Sequence, residues 1–333
     1  MTTSTEIRLA SRPTGMPTPE NFEVATVELP DPAPGQIQVR NQWMSVDPYM
    51  RGRMNDTRSY AAPFELGKAM QGGAVGTVTA SNAEGYAEGD LVRSFFGWRE
   101  AFNAPAAAVE KLDTRGLPPQ AFLGVAGMPG LTAYTGLLRI AQLKDGDTVF
   151  VSGAAGAVGS LVCQIAKAKG HTVIGSAGGA EKIAFLKEIG VDHAIDYKAE
   201  NNLSRALHRT APDGIDVYFD NVGGDHLEAA LNNAKLFSRF AICGLISAYN
   251  DTGPPAGPRN FVQVLARSVR MEGFIVSNHA DLEPAFLADL SGWVKEDKVK
   301  WRETVVEGIV KAPEAFLGLF SGQNLGKMLV KLG

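Results

Sequence analysis

The stretch "FVSGAAGAVGSLVCQIAKAKG", residues 150–170, confines the chain to a narrow set of folds. An apolar run, Thr148–Ser152, meets a glycine-rich turn from Gly153 to Gly159, and a helical pattern follows directly. That pattern puts Val158, Leu161, Val162, Ile165 and Ala166 on one face and stops at Gly170, a residue suited to the position after a helix end. The motif then repeats in kind. Strand patterns at Thr148–Ser152, Thr172–Ser176, Ala194–Tyr197, Asp216–Asn221, Phe240–Leu245 and Met271–Val276 have helical patterns between most of them. Such alternation predicts a parallel sheet with helices on both faces, and six strands match the doubly wound (Rossmann) α/β fold.

At 333 residues the chain is long for one hydrophobic core, so a second domain is expected. The first third supplies it. "FEVATVELP" (22–30), the run from Ile37 to Trp43, "GGAVGTVTAS" (72–81) and "GDLVRSFFGW" (89–98) are short strand patterns separated by Pro, Gly and Asn/Asp. They predict an irregular β-barrel. Helical spacing begins in "MPGLTAYTGLLRIAQLK" (128–144) through Leu131, Tyr134, Leu138 and Ala141, and the tail ends in strand-like "KMLVKL". The expected division is 1–124 for the barrel, 125–295 for the parallel-sheet domain, and 296–333 returning to the barrel.

Charge and cysteine use narrow the function. A net charge of −4 without a basic block gives no nucleic-acid footprint. Cys163 and Cys243 are the two cysteines, too few for a disulfide framework or a four-ligand zinc site, and they suit a reducing compartment. No apolar run has the length of a membrane span, and the first 30 residues lack the core of a signal peptide. A cytoplasmic protein without membrane or nucleic-acid partners is expected.

The turn Ala154-Ala155-Gly156-Ala157-Val158-Gly159 is an A-x-G-x-x-G variant of the dinucleotide fingerprint. Gly156 lets backbone approach a pyrophosphate, Gly159 lets the helix pack close to the sheet, and the helix N-terminus offers N–H groups to the anion. Glycine-rich turns also serve plain strand-to-helix corners. No Gly-Lys-Ser/Thr follows, which argues against a Walker-type triphosphatase. A site selective for NAD usually ends its second strand with a carboxylate for the ribose 2′-hydroxyl. Here that end reads Ser176, Ala177, Gly178, Gly179, and Lys182 follows in the first turn of the next helix. A lysine there opposes the helix dipole, which a 2′-phosphate would relieve and solvent or Glu181 would also meet. The pattern favours NADPH.

With these features in place, the whole chain resembles the medium-chain dehydrogenase/reductase superfamily, which joins a GroES-like β-barrel to a six-stranded nucleotide-binding domain. Zinc-bearing members present a catalytic cysteine where this chain reads "NQWMSVDPYMRGR" (41–53), and Gly-His-Glu where it reads "LGKAMQGGAVGTV" (66–78), with Lys68 in place of histidine. A zinc-free member, with no metal ligands, is therefore expected. The strings "MSVDPYMRGRM" (44–54), "GMPGLTAYTGL" (127–137), "SGAAGAVGSLVCQIAK" (152–167), "FDNVGG" (219–224), "CGLISAYN" (243–250) and "NLGKMLV" (324–330) are similar to the leukotriene B4 12-hydroxydehydrogenase/prostaglandin reductase branch, with its curcumin and alkenal double-bond reductases. Leu245 departs from the alanine more common in "CGAIS".

The resemblance implies NADPH-dependent reduction of the C=C bond of α,β-unsaturated ketones and aldehydes. It implies cofactor contacts at Gly156, Ala157, Val158 and Gly159, at Lys182, Tyr197 and Asn221, and along Cys243, Gly244, Leu245, Ile246, Ser247 and Tyr249. Further contacts are implied at Phe274, Ile275, Val276 and Asn324. It also implies a homodimer, with "VRMEGFIV" (269–276) as the pairing edge. Tyr249 either donates its hydroxyl to the substrate carbonyl or packs on the cofactor, and solvent is one source of the α-proton. Tyr49 is the candidate substrate contact of the barrel, or else a core tyrosine. Arg51 and Arg53 are readable as anion-attracting or solvated, and His279 as cleft-facing or exposed. "DTGPPAGPRNF" (251–261) is either a loop shaping the pocket or a surface connection. A quinone oxidoreductase of the same superfamily and a non-catalytic NADPH-binding protein are the competing readings.

Overall fold

The computed structural model describes residues 1–253 and 256–332, in two compact units. Among these residues the first comprises 1–124, 303–324 and 328–332; the second comprises 125–253 and 256–302 with 325–327. The first unit's opening strand β1 (Thr2–Leu9), which the sequence pattern does not announce, pairs antiparallel with β2 (Phe22–Leu29). β3 (Gln36–Ser45) is long enough to serve three partners. The helical turn α1 (Met50–Arg53) follows, then β4 (Ala74–Ser81), β5 (Leu91–Ser94), β6 (Ala101–Pro105) and β7 (Glu110–Lys111). Below them lies a core of Met44, Met50, Met54, Met70 and Trp98, all fully buried.

The second unit opens with α2 (Met128–Tyr134), which continues as a π-helical turn over Thr135–Ile140. The extra residue in that turn shifts the buried face: Leu137 and Ile140 are buried, whereas Leu138, expected inside, is half-exposed. Gly136 explains the crowding, since a Cβ there would lie 2.5 Å from the Phe219 ring and 2.6 Å from that of Phe274. Alternation then runs β8 (Thr148–Val151), α3 (Ala157–Ala168), β9 (Thr172–Ala177), α4 (Ala180–Glu188), β10 (His193–Asp196), α5 (Leu203–Thr210), β11 (Ile215–Asp220), α6 (Gly224–Asn232), β12 (Ala234–Ile242), α7 (Val262–Ala266), β13 (Arg270–Gly273) and α8 (Glu283–Lys295). The six strands form one parallel sheet in the order β10-β9-β8-β11-β12-β13, a doubly wound α/β arrangement. Its central strands bury Val149, Phe150, Val217, Tyr218, Phe219 and Ala241 almost completely, as expected for a sheet covered on both faces.

Two strand ends fall three residues short of the sequence reading, and the other four lie within one residue of it. β12 closes at Ile242 and β13 at Gly273, so Cys243–Leu245 and Phe274–Val276 lie beyond the strands. The reason for the first is that the Cys243 and Gly244 N–H groups both donate back to Asp220 O, at 2.9 and 3.0 Å, which ends the ladder. The chain finishes with β14 (Glu303–Glu307), α9 (Ala312–Ser321) and β15 (Lys327–Lys331). β15 pairs antiparallel with β3, placing Leu329 opposite Ser45, in a sheet of order β14-β15-β3-β4-β5-β7 with β6 on β3.

Candidate functional site

Strand order reverses between β8 and β11, and ligands of open α/β sheets bind at the carboxyl edge beside such a reversal. The glycine turn after β8 occupies that place. Gly156 caps α3 with extended backbone and no capping side chain, so the first N–H groups of the helix have no side-chain partner at the cap. A Cβ on Gly159 would fall 2.4 Å from Gly153 O, so only glycine lets the helix start this close to the strand. A Cβ on Gly156 would meet only Gly153 O, at 3.3 Å, which leaves that backbone face open. An open backbone face at a helix N-terminus fits a pyrophosphate. Gly326 straps the turn from behind, its N–H donating to Ala155 O at 2.8 Å, and Asn324 precedes it by two residues.

Across the reversal, a buried network fixes the turn after β11. Asp220 is fully buried, and its Oδ1 accepts from Tyr218 Oη (2.7 Å), Ser152 Oγ (3.1 Å) and the N–H groups of Val222 (2.9 Å) and Gly223 (2.8 Å). Burial raises its pKa, against those hydrogen bonds, which favour the carboxylate. Asn221 is thereby set beside the glycine turn, and its amide donates to Ser152 O at 2.7 Å. Ser247 is stitched to the same turn through Val222 O, by its N–H (3.1 Å) and its hydroxyl (2.6 Å). Leu245 covers Gly223, and its N–H donates to Tyr249 Oη at 3.4 Å. A Cβ on Gly244 would lie 3.1 Å from Tyr249 Oη and 3.6 Å from Asn221 O, so hydroxyl and turn flank one glycine.

The outer end of the edge is cationic and aromatic. Lys182 is half-buried in the first turn of α4; burial lowers its pKa, the charge of Lys198 lowers it further, and Glu181 opposes both. Tyr197, 40% exposed, sets its ring edge-on to His226 at 5.0 Å between centroids. His226 in turn lies 3.1 Å from Ser176 Oγ, and burial pushes its pKa down to about 4. Sequence reasoning missed Lys198, His226 and Asp220, because each gains its role from a partner on another strand or helix.

The remaining candidates separate. Phe274 turns its ring into the core against Gly136 and Phe219, so that side chain is spent on packing; Ile275 and Val276 follow it half-buried. His279 lies beside Arg139, which pairs with Asp281 at 2.8 Å. Cys163 is buried inside α3, and burial pushes the Cys243 thiol up to about 12, so neither is a thiolate. Arg51 is buried and donates to Asn55 (2.6 Å) and Gly15 O (2.9 Å), and Arg53 donates to Ala62 O and Gln71. Tyr49 is half-buried in the first unit against the methionine-rich core, and burial raises its hydroxyl pKa. Of the 251–261 segment, Pro254 and Pro255 lie outside the described residues; Arg259 at its end pairs with Glu228 on α6 at 2.7 Å. Among the described residues no group of three His, Cys, Asp or Glu side chains is placed to hold a metal.

Residues 5–112 match a family described as the N-terminal domain of oxidoreductase, and residues 157–291 one described as zinc-binding dehydrogenase. The NADPH-dependent curcumin reductase of Escherichia coli is 41% identical over 97% of this chain and 95% of its own. An NADP(+)-dependent 2-alkenal reductase of Nicotiana tabacum is 41% identical over 98% and 96%. The crystal structure of CurA from Vibrio vulnificus in complex with NADPH superposes with a TM-score of 0.94, at 42% identity and 99% coverage of both chains. The chain belongs to the medium-chain dehydrogenase/reductase superfamily, in its zinc-free branch of curcumin and alkenal reductases.

Proposed function

We propose that the chain is a cytoplasmic, NADPH-dependent ene-reductase that reduces the conjugated C=C bond of α,β-unsaturated ketones and aldehydes without a metal. The observation that carries this reading is the Tyr249 hydroxyl beside Gly244 and the Asn221 turn, at the carboxyl edge of the sheet. NADPH, when bound, supplies the hydride. The Gly156–Gly159 turn receives its pyrophosphate, Lys182 and Tyr197 its adenosine end, and the Asn221, Cys243–Ser247 and Phe274–Val276 stretches its nicotinamide half, with Asn324 a further contact. Tyr249 Oη accepts from the Leu245 N–H at 3.4 Å, and we assign its O–H as the donor to the substrate's carbonyl oxygen where negative charge develops. Solvent then protonates the α-carbon. Tyr49 is the substrate contact we assign to the first unit.

The test follows NADPH absorbance with an aliphatic enone such as non-3-en-2-one, against NADH and a quinone acceptor. Turnover of the enone to the saturated ketone, weak with NADH, is the expected result. Tyr249→Phe should lower kcat about 100-fold with the KM for NADPH unchanged, the scale for loss of one oxyanion donor. A loss under twofold would reassign Tyr249 to cofactor packing. Turnover of quinone alone would make the protein a quinone oxidoreductase, and tight NADPH binding with no turnover a non-catalytic binder.

A homodimer is part of the proposal. β13 is an edge strand of the parallel sheet, and beside it Leu236, Phe237, Phe261, Val262 and Leu265 are 59–82% exposed. The Phe237 N–H donates to Arg267 O at 2.8 Å, at the end of α7, which ties the strand-side and helix-side apolar residues together. Such a surface next to an open edge suits a second copy of the chain. Light scattering should give a dimer, and Phe237→Ser with Leu265→Glu a monomer. A monomeric wild type would remove this part of the proposal alone.

A further inference from the structure

We propose that Lys198 is a second phosphate-binding cation of the nucleotide unit, seated on Gly178 and acting with Lys182 on the 2′-phosphate of NADPH. The inference rests on the NADPH reading above and adds a residue that determines cofactor choice. Its basis is how the turns after β9 and β10 are built.

Gly178 is the first residue after β9. A Cβ there would stand 2.8 Å from Cε of Lys198, 3.0 Å from Cδ and 3.1 Å from Cγ. The aliphatic stem of Lys198 therefore runs along the bare backbone of Gly178, a seat that any side chain at 178 would fill. Asp196 holds the stem in register. Its Oδ1 accepts from the N–H of Lys198 and from that of Gly179, both at 3.1 Å, tying the β10 turn to the β9 turn. The carboxylate nearest the end of β9 is thus engaged with main-chain donors, and it anchors the loop instead of presenting itself to a ribose.

Lys182 stands in the first turn of α4, whose N-cap Gly179 is tied by Asp196 to the β10 turn, and the charge of Lys198 lowers its pKa. Two ammonium groups brought together beside a helix N-terminus repel each other and oppose the helix dipole. Nearby Glu181 opposes this only in part, as the third influence on Lys182 after burial and Lys198. A dianionic phosphate next to both lysines removes the repulsion. A 2′-hydroxyl does not, so the pair selects between the two nicotinamide cofactors.

Isothermal titration of the full chain with 2′,5′-ADP and with 5′-ADP tests this without turnover. The wild type should prefer 2′,5′-ADP. Lys198→Met should weaken 2′,5′-ADP about tenfold, the scale of one partly exposed charge-assisted contact, and leave 5′-ADP unchanged. Lys198→Arg should keep the preference. Unchanged 2′,5′-ADP binding by Lys198→Met would overturn the proposal and leave Lys182 as the selecting cation. Equal weakening of both ligands would also overturn it, assigning the stem to packing. A wild type without preference would sink the NADPH reading itself.

Discussion

Gly159→Ala should lose both fold stability and nucleotide affinity. The added methyl would lie 2.4 Å from Gly153 O, 2.9 Å from Gly153 C and 2.8 Å from Ala154 Cα. All three are backbone atoms of the turn, so no side chain can swing away. Either α3 moves outward or the turn opens, and overpacking of this kind costs about 1–3 kcal/mol. Both adjustments displace the helix N-terminus from the open face of Gly156. A loss of about 3 kcal/mol there corresponds to about 100-fold in Kd for NADPH. Gly156→Ala is the matched control. Its methyl meets only Gly153 O at 3.3 Å, and the backbone φ of −82° suits alanine. Stability should then hold within about 0.5 kcal/mol, as for a substitution that disturbs no packing. The same methyl fills the face offered to the phosphate, so affinity should still drop. Thermal melts of the ligand-free protein, paired with fluorescence titration by NADPH, separate the two effects. Wild-type melting and affinity in Gly159→Ala would refute the packing argument. Wild-type affinity in Gly156→Ala would place the phosphate elsewhere.

What the sequence discloses follows the range of the interactions involved. β8, the glycine turn and α3 are consecutive, so apolar period and glycine spacing announce them, and α3 stops at Ala168, just short of Gly170. The six parallel strands are likewise legible from alternation, since strands covered on both faces are nearly continuous apolar runs. β1 was hidden because "TTSTEIRL" is polar, and only its pairing with β2 makes it a strand. The π turn was hidden because it answers the Phe219 and Phe274 rings packed against Gly136, a constraint set 83 residues or more downstream. The same holds at the candidate site. Lys182 stands out locally, as a lysine where the helix dipole disfavours one. Lys198 reads as an ordinary loop lysine until β10 pairs with β9 and sets it on Gly178. Asp220 looks like a strand-end aspartate until four donors from three segments converge on Oδ1.

His226 should make the fold acid-labile, by an amount that one substitution isolates. The imidazole is 6% exposed, 3.1 Å from Ser176 Oγ and edge-on to Tyr197, and the charge of Asp225 favours its protonation. Burial dominates and holds its pKa at about 4, from an ordinary 6.5. In the unfolded chain the ring takes a proton as pH falls through about 6.5, whereas in the folded chain it waits until about 4. The unfolded state therefore binds more protons across this window, and stability rises with pH there. The contribution is fully present above the unfolded value and is lost as pH falls toward the folded one. Between pH 7 and pH 4 the loss is about 3 kcal/mol. Other groups titrate over the same range, so the informative quantity is a difference. Urea unfolding of the wild type and of His226→Gln, which keeps a polar partner for Ser176 Oγ, should show the wild type losing about 3 kcal/mol more than the variant over this interval. Parallel pH profiles would mean the ring is already charged, or solvated, in the folded protein.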